Sequence, residues 1–298
     1  MRVLILGCGY LGLPLGAELA RQGHEVHGVR RSPGTESELE AEGIRPWVAD
    51  VGCADDLSRL PTNWDWIVNC LSSSRGGVDE YRKVYLNGTR NLLEWLADNP
   101  IKKYVFTSST SVYGQTDGSV VTEESPTNPD SPTSRVLLET EALLQRAFQS
   151  RSFPSIILRL AGIYGPGRSH LFHQYLRGEA RLHDDGRRFI NMIHLQDAIR
   201  AVIAALENGQ PGEIYNVADD MPVIQKVFFE WLSIQLGRPM PPYAPSTELK
   251  GRKRGLTNKQ VSNQKLRTIL GLKLLFPTYK EGYSAEIQRL RDSGELKN

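Results

Sequence analysis

Short apolar runs alternate with stretches of helical spacing along the first half of the chain. Val3–Leu6, Glu25–Val29, Trp47–Ala49, Trp66–Cys70 and Lys103–Phe106 read as strands, and Leu11–Arg21 and Tyr81–Ala97 as helices between them. In the second helix Tyr85, Leu92, Leu93 and Leu96 fall on one side, as a helix packed on a sheet requires. The near-continuous apolar character of Val3–Leu6 and Ile156–Arg159 fits strands covered on both faces. Strand–helix alternation predicts βαβ units and a parallel sheet. A Thr-, Ser-, Pro- and Asp-rich loop, 114–132, leads into a helix over Ser134–Gln149. After Ile156–Arg159 the pattern loses its regularity, though helices over Ile199–Leu206 and Val223–Leu236 and a strand over Glu213–Val217 remain legible.

The expected architecture is α/β: a Rossmann-type doubly wound parallel sheet with a smaller C-terminal substrate lobe. Residues 1–160 would form the dinucleotide-binding domain, with later returning segments at about 190–218. Residues 161–298 would form the smaller lobe. A length of 298 residues accommodates both; a chain of that size buries roughly 75% of its unfolded surface.

Composition narrows the function classes. The chain carries 36 Lys+Arg against 34 Asp+Glu, formally +2, which speaks against a dedicated nucleic-acid binder. No run approaches the ~18 apolar residues of a membrane span. The apolar start, Val3–Leu6, is interrupted by glycines too early for a signal peptide and reads as a buried strand. The three cysteines, Cys8, Cys53 and Cys70, lack the spacing of a disulfide framework or a zinc site, so no metal is expected and a reducing, cytoplasmic setting is.

Gly7-Cys8-Gly9-Tyr10-Leu11-Gly12 is a GxGxxG loop placed between the first strand and the first helix. Its glycines permit a tight turn, close approach of backbone to a pyrophosphate, and close helix–strand packing. The helix N-terminus adds free N–H groups for phosphate. The second strand ends in Arg30 and Arg31, where enzymes using NAD carry an acid for the ribose 2′-hydroxyl. Arginine there favours the 2′-phosphate, so NADP is the expected cofactor and NAD the lesser candidate. Asp50 and Val51, after the third strand, are candidates for the adenine side. Leu71 and Ser72 follow the fourth strand at its C-terminal end, where open α/β sheets gather ligands.

The order of these motifs resembles the extended short-chain dehydrogenase/reductase superfamily, its NAD-dependent epimerase/dehydratase group. The resemblance rests on Gly7–Gly12, Asp50-Val51, Asn87-Gly88-Thr89-Arg90-Asn91-Leu92-Leu93, Thr107–Gly114, Leu158–Gly167 and Asn191–Asp197, and covers nearly the whole chain. It implies a Rossmann domain, a small-molecule substrate such as a nucleotide sugar, and catalysis by a Ser/Thr with a YxxxK pair. Ser109 matches the hydroxyl position. Ser131 and Arg135 stand where the Tyr and Lys of the pair belong. In the family the tyrosine is the general acid/base, while the lysine lowers its pKa and holds the ribose. Here Arg135 could hold the ribose but cannot titrate usefully. The glycine pattern departs as well, with Leu6 where the family has glycine. These departures resemble the atypical subgroup of the superfamily.

Phenols that could stand in for the absent acid are Tyr113, Tyr164 and Tyr81. Arg168 and Asn191, with Tyr164, are candidate substrate contacts. His194 reads as structural or as a ligand. Lys250, Arg252, Lys253, Arg254, Lys259, Lys265 and Arg267 make the C-terminal stretch basic, suited to an anionic substrate or to solvent. The expected function is an NADP-dependent oxidoreductase, or a nucleotide-sugar epimerase/reductase-like enzyme with an unusual acid/base. The alternative is a non-catalytic NADP(H)-binding redox sensor or scaffold; RNA association through the basic stretch is a third reading. A homodimer through the Tyr81–Ala97 and Ser134–Gln149 helices follows the habit of the superfamily.

Overall fold

In the computed structural model, which describes residues 1–73, 76–244 and 257–296, seven parallel strands form the central sheet. In chain order the first half runs β1 (Arg2–Leu6), α1 (Gly12–Arg21), β2 (Glu25–Arg30), α2 (Glu36–Ala41), β3 (Arg45–Val48), α3 (Ala54–Ser58), β4 (Trp66–Asn69), α4 (Val78–Tyr81), α5 (Gly88–Trp95) and β5 (Lys103–Ser109). It continues through β6 (Val120–Val121), α6 (Pro132–Arg151), β7 (Ser155–Leu160), β8 (Gly162–Tyr164), α7 (His170–Leu176), β9 (Phe189–Ile190) and β10 (Met192–His194). The remainder is α8 (Leu195–Asn208), β11 (Ile214–Val217), β12 (Val223–Ile224), α9 (Gln225–Leu236), β13 (Gln260–Val261), α10 (Gln264–Ile269) and α11 (Tyr279–Asp292). A π-helical segment, Arg82–Asn87, joins α4 to α5, so the expected Tyr81–Ala97 helix is π-helical through its N-terminal part.

The sheet order is β3-β2-β1-β4-β5-β7-β11, with every pairing parallel. This is the Rossmann order, and it reverses between β1 and β4. Strand β1 shows why its sequence is apolar throughout. Val3 and Ile5 face one layer, packed with Leu15 and Leu19 of α1 and Val202 of α8. Leu4 and Leu6 face the other, with Leu92 of α5 and Leu144 of α6. Each fully buried side chain of this size is worth about 1.5–3 kcal/mol. A third apolar cluster, rich in aromatics, joins Phe172, Phe228, Tyr279, Tyr283 and Ile287 from α7, α9 and α11.

The chain crosses between these bodies repeatedly. Strand β11 and helix α8 belong to the sheet, and Leu266, Leu270, Leu272 and Leu274 return to the sheet's core from the far end of the chain. The irregular region beyond Leu160 is stitched by two-stranded pairs, β8 with β10, β9 with β12 and β6 with β13. Two of these pairings include strands only two residues long. Helix α11 is announced by a capping box in which Thr278 and Glu281 bond each other's backbone N–H groups. Among the described residues no helix is long and apolar enough to cross a membrane, and no group of His, Cys, Asp and Glu could hold a metal ion.

Candidate functional site: a cleft across the strand ends

A cleft of about 910 Å³ lies at the C-terminal ends of the sheet strands and extends under β9 and the residues before β13. Gly7, Gly9, Tyr10, Leu11, Arg30, Arg31, Asp50, Val51, Leu71, Ser72, Ser109, Arg168 and Asn191 all line it. These residues are scattered over 185 sequence positions, and the sheet's order reversal brings them to one place. Gly12 lies just behind, at the start of α1.

The three loop glycines are required for different reasons. Gly7 has φ +90°, and a Cβ there would meet Cys70 O and Leu71 N at 2.9 Å. A Cβ on Gly12 would run into Gly7 O. A Cβ on Gly9 would meet nothing within 4 Å, so the space above it belongs to the cleft. Helix α1 begins at this point with no side-chain cap; the Leu13 N–H bonds Gly9 O at 3.0 Å and Pro14 has no N–H, so the Gly12 N–H and the positive dipole end are what the helix offers the cleft. The cradle fits the pyrophosphate of a dinucleotide.

At the rim, Arg30 Nε donates to Cys8 O at 2.8 Å and its guanidinium pairs with Glu38 at 2.7 Å. Arg30 thus ties the glycine loop to α2. Arg31 approaches Glu80 at 3.3 Å. Asp50 Oδ1 accepts from Gly52 N at 2.9 Å, and Oδ2 pairs with Lys83 at 3.0 Å. Burial works to raise the Asp50 carboxyl, but the Gly52 N–H and the Lys83 ammonium outweigh it and hold it below the usual range.

The wall opposite the loop is lined with hydroxyls. Ser109 Oγ accepts from Ser111 N at 3.1 Å, leaving its own O–H free to donate. Ser134 Oγ donates to Ser111 Oγ at 3.0 Å, and Ser131 and Thr133 share a hydrogen bond of 2.8 Å. Ser131 precedes α6, whose first residue is Pro132. Ser134 and Ser131 therefore face the cleft, while Arg135, one helical step further round, is exposed and donates through Nε to Pro129 O at 3.1 Å. Arg135 does not line the cleft.

Two expected phenols are also elsewhere. Tyr113 is fully buried behind β5, its hydroxyl donating to Asn216 Oδ1 and accepting from Arg159, both at 2.8 Å. Arg159 pairs with the buried Glu141 at 2.7 Å, and Glu141 accepts from Ser108 Oγ at 2.5 Å. Tyr164 stacks on Tyr283 at 4.5 Å in the aromatic cluster, 2% exposed, and burial drives its hydroxyl far above the ordinary phenol range. His194 caps α8 by accepting from Gln196 N at 3.3 Å, with its ring 3.8 Å from that of Phe276, and burial lowers its pKa.

The phenols that do line the cleft are Tyr10, Tyr81 and Tyr85. The Arg168 guanidinium lies 5.1 Å from the Tyr10 ring centroid. Burial pushes both Tyr10 and Tyr85 up to about 12. Tyr85 sits in the π-helical segment, a device that recurs at functional sites; nothing in its sequence neighbourhood distinguishes it from a core tyrosine.

Asn191 is fully engaged, Nδ2 donating to Lys259 O at 2.9 Å and Oδ1 accepting from Val261 N at 2.7 Å. Lys259, read from sequence as one of a basic stretch, is 5% exposed and lines the cleft. Its Nζ donates to Tyr113 O at 3.1 Å and Thr257 Oγ1 at 2.9 Å. Burial, followed by the charge of Arg188, lowers the ammonium to about 8. Lys265 and Arg267 instead pair with Glu213 and Asp220 at 2.6 and 3.3 Å. Lys250, Arg252, Lys253 and Arg254 lie outside the described residues.

Comparisons with known proteins agree with this architecture. Protein YeeZ of Escherichia coli K12 is 30% identical over 284 residues, covering 93% of this chain and 96% of that one. A 3-diazoavenalumate denitrifying reductase of a Streptomyces species is 25% identical over 320 residues, covering 96% of this chain and all of that one. The structure of DesIV, a dTDP-glucose 4,6-dehydratase from Streptomyces venezuelae with NAD and TYD bound, superposes with a TM-score of 0.83 at 21% identity, covering 98% and 97% of the two chains; at that identity it speaks for the fold alone. Residues 3–218 match the model of the NAD dependent epimerase/dehydratase family, and the chain belongs to that family.

Proposed function

We propose that this chain is a nicotinamide-dependent reductase or epimerase of a small carbonyl compound, with NADP(H) preferred over NAD(H). The observation that carries the reading is the cradle at Gly7, Gly9 and Gly12, where the one glycine whose Cβ meets nothing faces the cleft. Gly9 and the α1 N-terminus would hold the pyrophosphate, Asp50 and Val51 would flank the adenine, and Leu71 and Ser72 would support the rest of the dinucleotide. Arg31, helped by Arg30 and Ser32, would meet the 2′-phosphate. When bound, the cofactor supplies the hydride.

The chain's own residues do the remainder. Ser109, held by the Ser111 N–H, presents a free O–H that can polarise a substrate carbonyl. Arg168, stacked on Tyr10, offers a planar fork for a substrate anion, in keeping with a nucleotide sugar. The alignment with a reductase over nearly the full chain favours reduction over epimerisation. We further infer a homodimer through the α4–α5 and α6 faces and a cytoplasmic setting.

Reduced-nicotinamide consumption over a panel of ketones, aldehydes and nucleotide sugars tests the reading. Turnover dependent on NADPH and reduced about 10²-fold or more by Ser109→Ala supports it. Tight NADPH binding with no turnover over the whole panel would favour the non-catalytic sensor instead, a reading that the replacement of the Tyr and Lys by Ser131 and Arg135 keeps open.

A further inference from the structure

The residues around Lys259 form a built device. Asn191 clamps the backbone that leaves it, bonding Lys259 O and Val261 N on either side of Gln260. Phe189 N donates to Asn258 Oδ1 at 2.9 Å, and an Arg188 N–H donates to Thr257 O at 2.9 Å. Strand β13 pairs with β6 immediately afterwards. Four consecutive attachments thus deliver one side chain to the cleft wall and fix it there.

That side chain is an ammonium in a place where a charge is expensive. Its acceptors, Tyr113 O and Thr257 Oγ1, are both neutral. Arg188 is the charged group that acts on it, and it repels; among the described residues no carboxylate does. An ammonium has three N–H donors, so with two engaged the third has no partner among the described residues. Burying an uncompensated charge costs stability, and a perturbed group in a cleft is a candidate for function. The Tyr10 and Tyr85 phenols in the same cleft are driven the opposite way, to about 12.

We propose that Lys259 is the proton donor to the substrate oxygen, doing from the far end of the chain what the tyrosine of the YxxxK pair does in the family. The proposal rests on the reductase reading above. As the carbonyl carbon receives its hydride, the π electron pair moves onto oxygen, the Nζ–H bond breaks and the O–H bond forms. The neutral amine then regains a proton from water. Asn191 is a positioning residue in this scheme: it acts by holding the Lys259 backbone. Reduction needs the protonated amine, so its rate falls as pH rises through about 8; the reverse oxidation needs the neutral amine and rises over the same range.

The test uses the full-length protein labelled with ¹³C and ¹⁵N at lysine, with the Lys259 signal assigned by its loss in Lys259→Met. In the cofactor-free wild type, that signal is expected to titrate near 8; titration at the ordinary lysine value of about 10.4 overturns the proposal. Lys259→Arg keeps the charge and cannot titrate. It should keep NADPH affinity within about threefold and lose about 10²–10⁴-fold in reduction rate, together with the fall near pH 8. Wild-type turnover in Lys259→Arg would overturn the donor role and leave the reductase reading standing. Wild-type protein that binds NADPH and reduces nothing would sink that reading, and the donor role with it, whatever the titration shows.

Discussion

Lys259 Nζ lies 3.1 Å from the backbone carbonyl of Tyr113, joining positions 146 residues apart at one wall of the cleft. The same tyrosine is engaged at its other end, where Arg159 and Asn216 hold the hydroxyl. Tyr113 is thus a post between the cleft and the buried Arg159–Glu141 pair, with its phenol held in the interior. Tyr113→Phe should cost about 1–3 kcal/mol, because buried partners lose their bond, and should leave turnover within about threefold. Urea denaturation beside steady-state rates checks this; a large loss of rate at unchanged stability would return Tyr113 to the catalytic list.

Gly7 and Gly9 should respond to substitution in opposite ways. Gly7→Ala puts a side chain at φ +90° and against Cys70 O, so a loss of about 1–3 kcal/mol in stability is expected. Gly9→Val fills open space, so the fold should survive while dinucleotide affinity falls at least about tenfold. Thermal unfolding and cofactor titration on the two variants separate these effects.

Arg31→Ala should weaken NADPH by about 10–100-fold, the worth of charge-assisted bonds to a phosphate. NADH should be nearly unaffected, since it has no 2′-phosphate to lose. Equal losses for both would place Arg31 elsewhere than at the ribose.

The sheet was legible because each strand obeys two rules at once: Val3 and Ile5 face one apolar layer, Leu4 and Leu6 the other. The glycine loop was legible because its neighbours were. Arg135 falls at the lysine position of the motif when residues are counted from Ser131, but α6 starts only at Pro132, so that count crosses a change of backbone geometry. Lys259 could not be found that way. Its surroundings come from strands two residues long and from Asn191, below the reach of periodicity, and in sequence it stands among basic residues. Helix α11 had a readable signal in Thr278 and Glu281.

Acid should destabilise the fold below about pH 6.5. His27 donates through Nε2 to Glu25 at 2.9 Å and accepts from Trp47 Nε1 at 2.9 Å, an arrangement that suits the neutral ring. Burial lowers the pKa of His24, His27 and His194 alike. A histidine whose folded pKa is depressed takes up its proton first in the unfolded chain, so stability falls as pH drops from 6.5 towards the folded value. Unfolding midpoints measured from pH 8 to 5 should decline, and His27→Gln should flatten part of the slope. A midpoint that holds steady across that range would mean these rings are not neutral in the fold.

The most direct measurement is a calorimetric titration of the full-length protein with NADPH and, separately, with NADH. Saturable binding of one dinucleotide per chain is expected, with NADPH at least about tenfold tighter than NADH and each displaced by its oxidised form. No binding of either would contradict the proposed function.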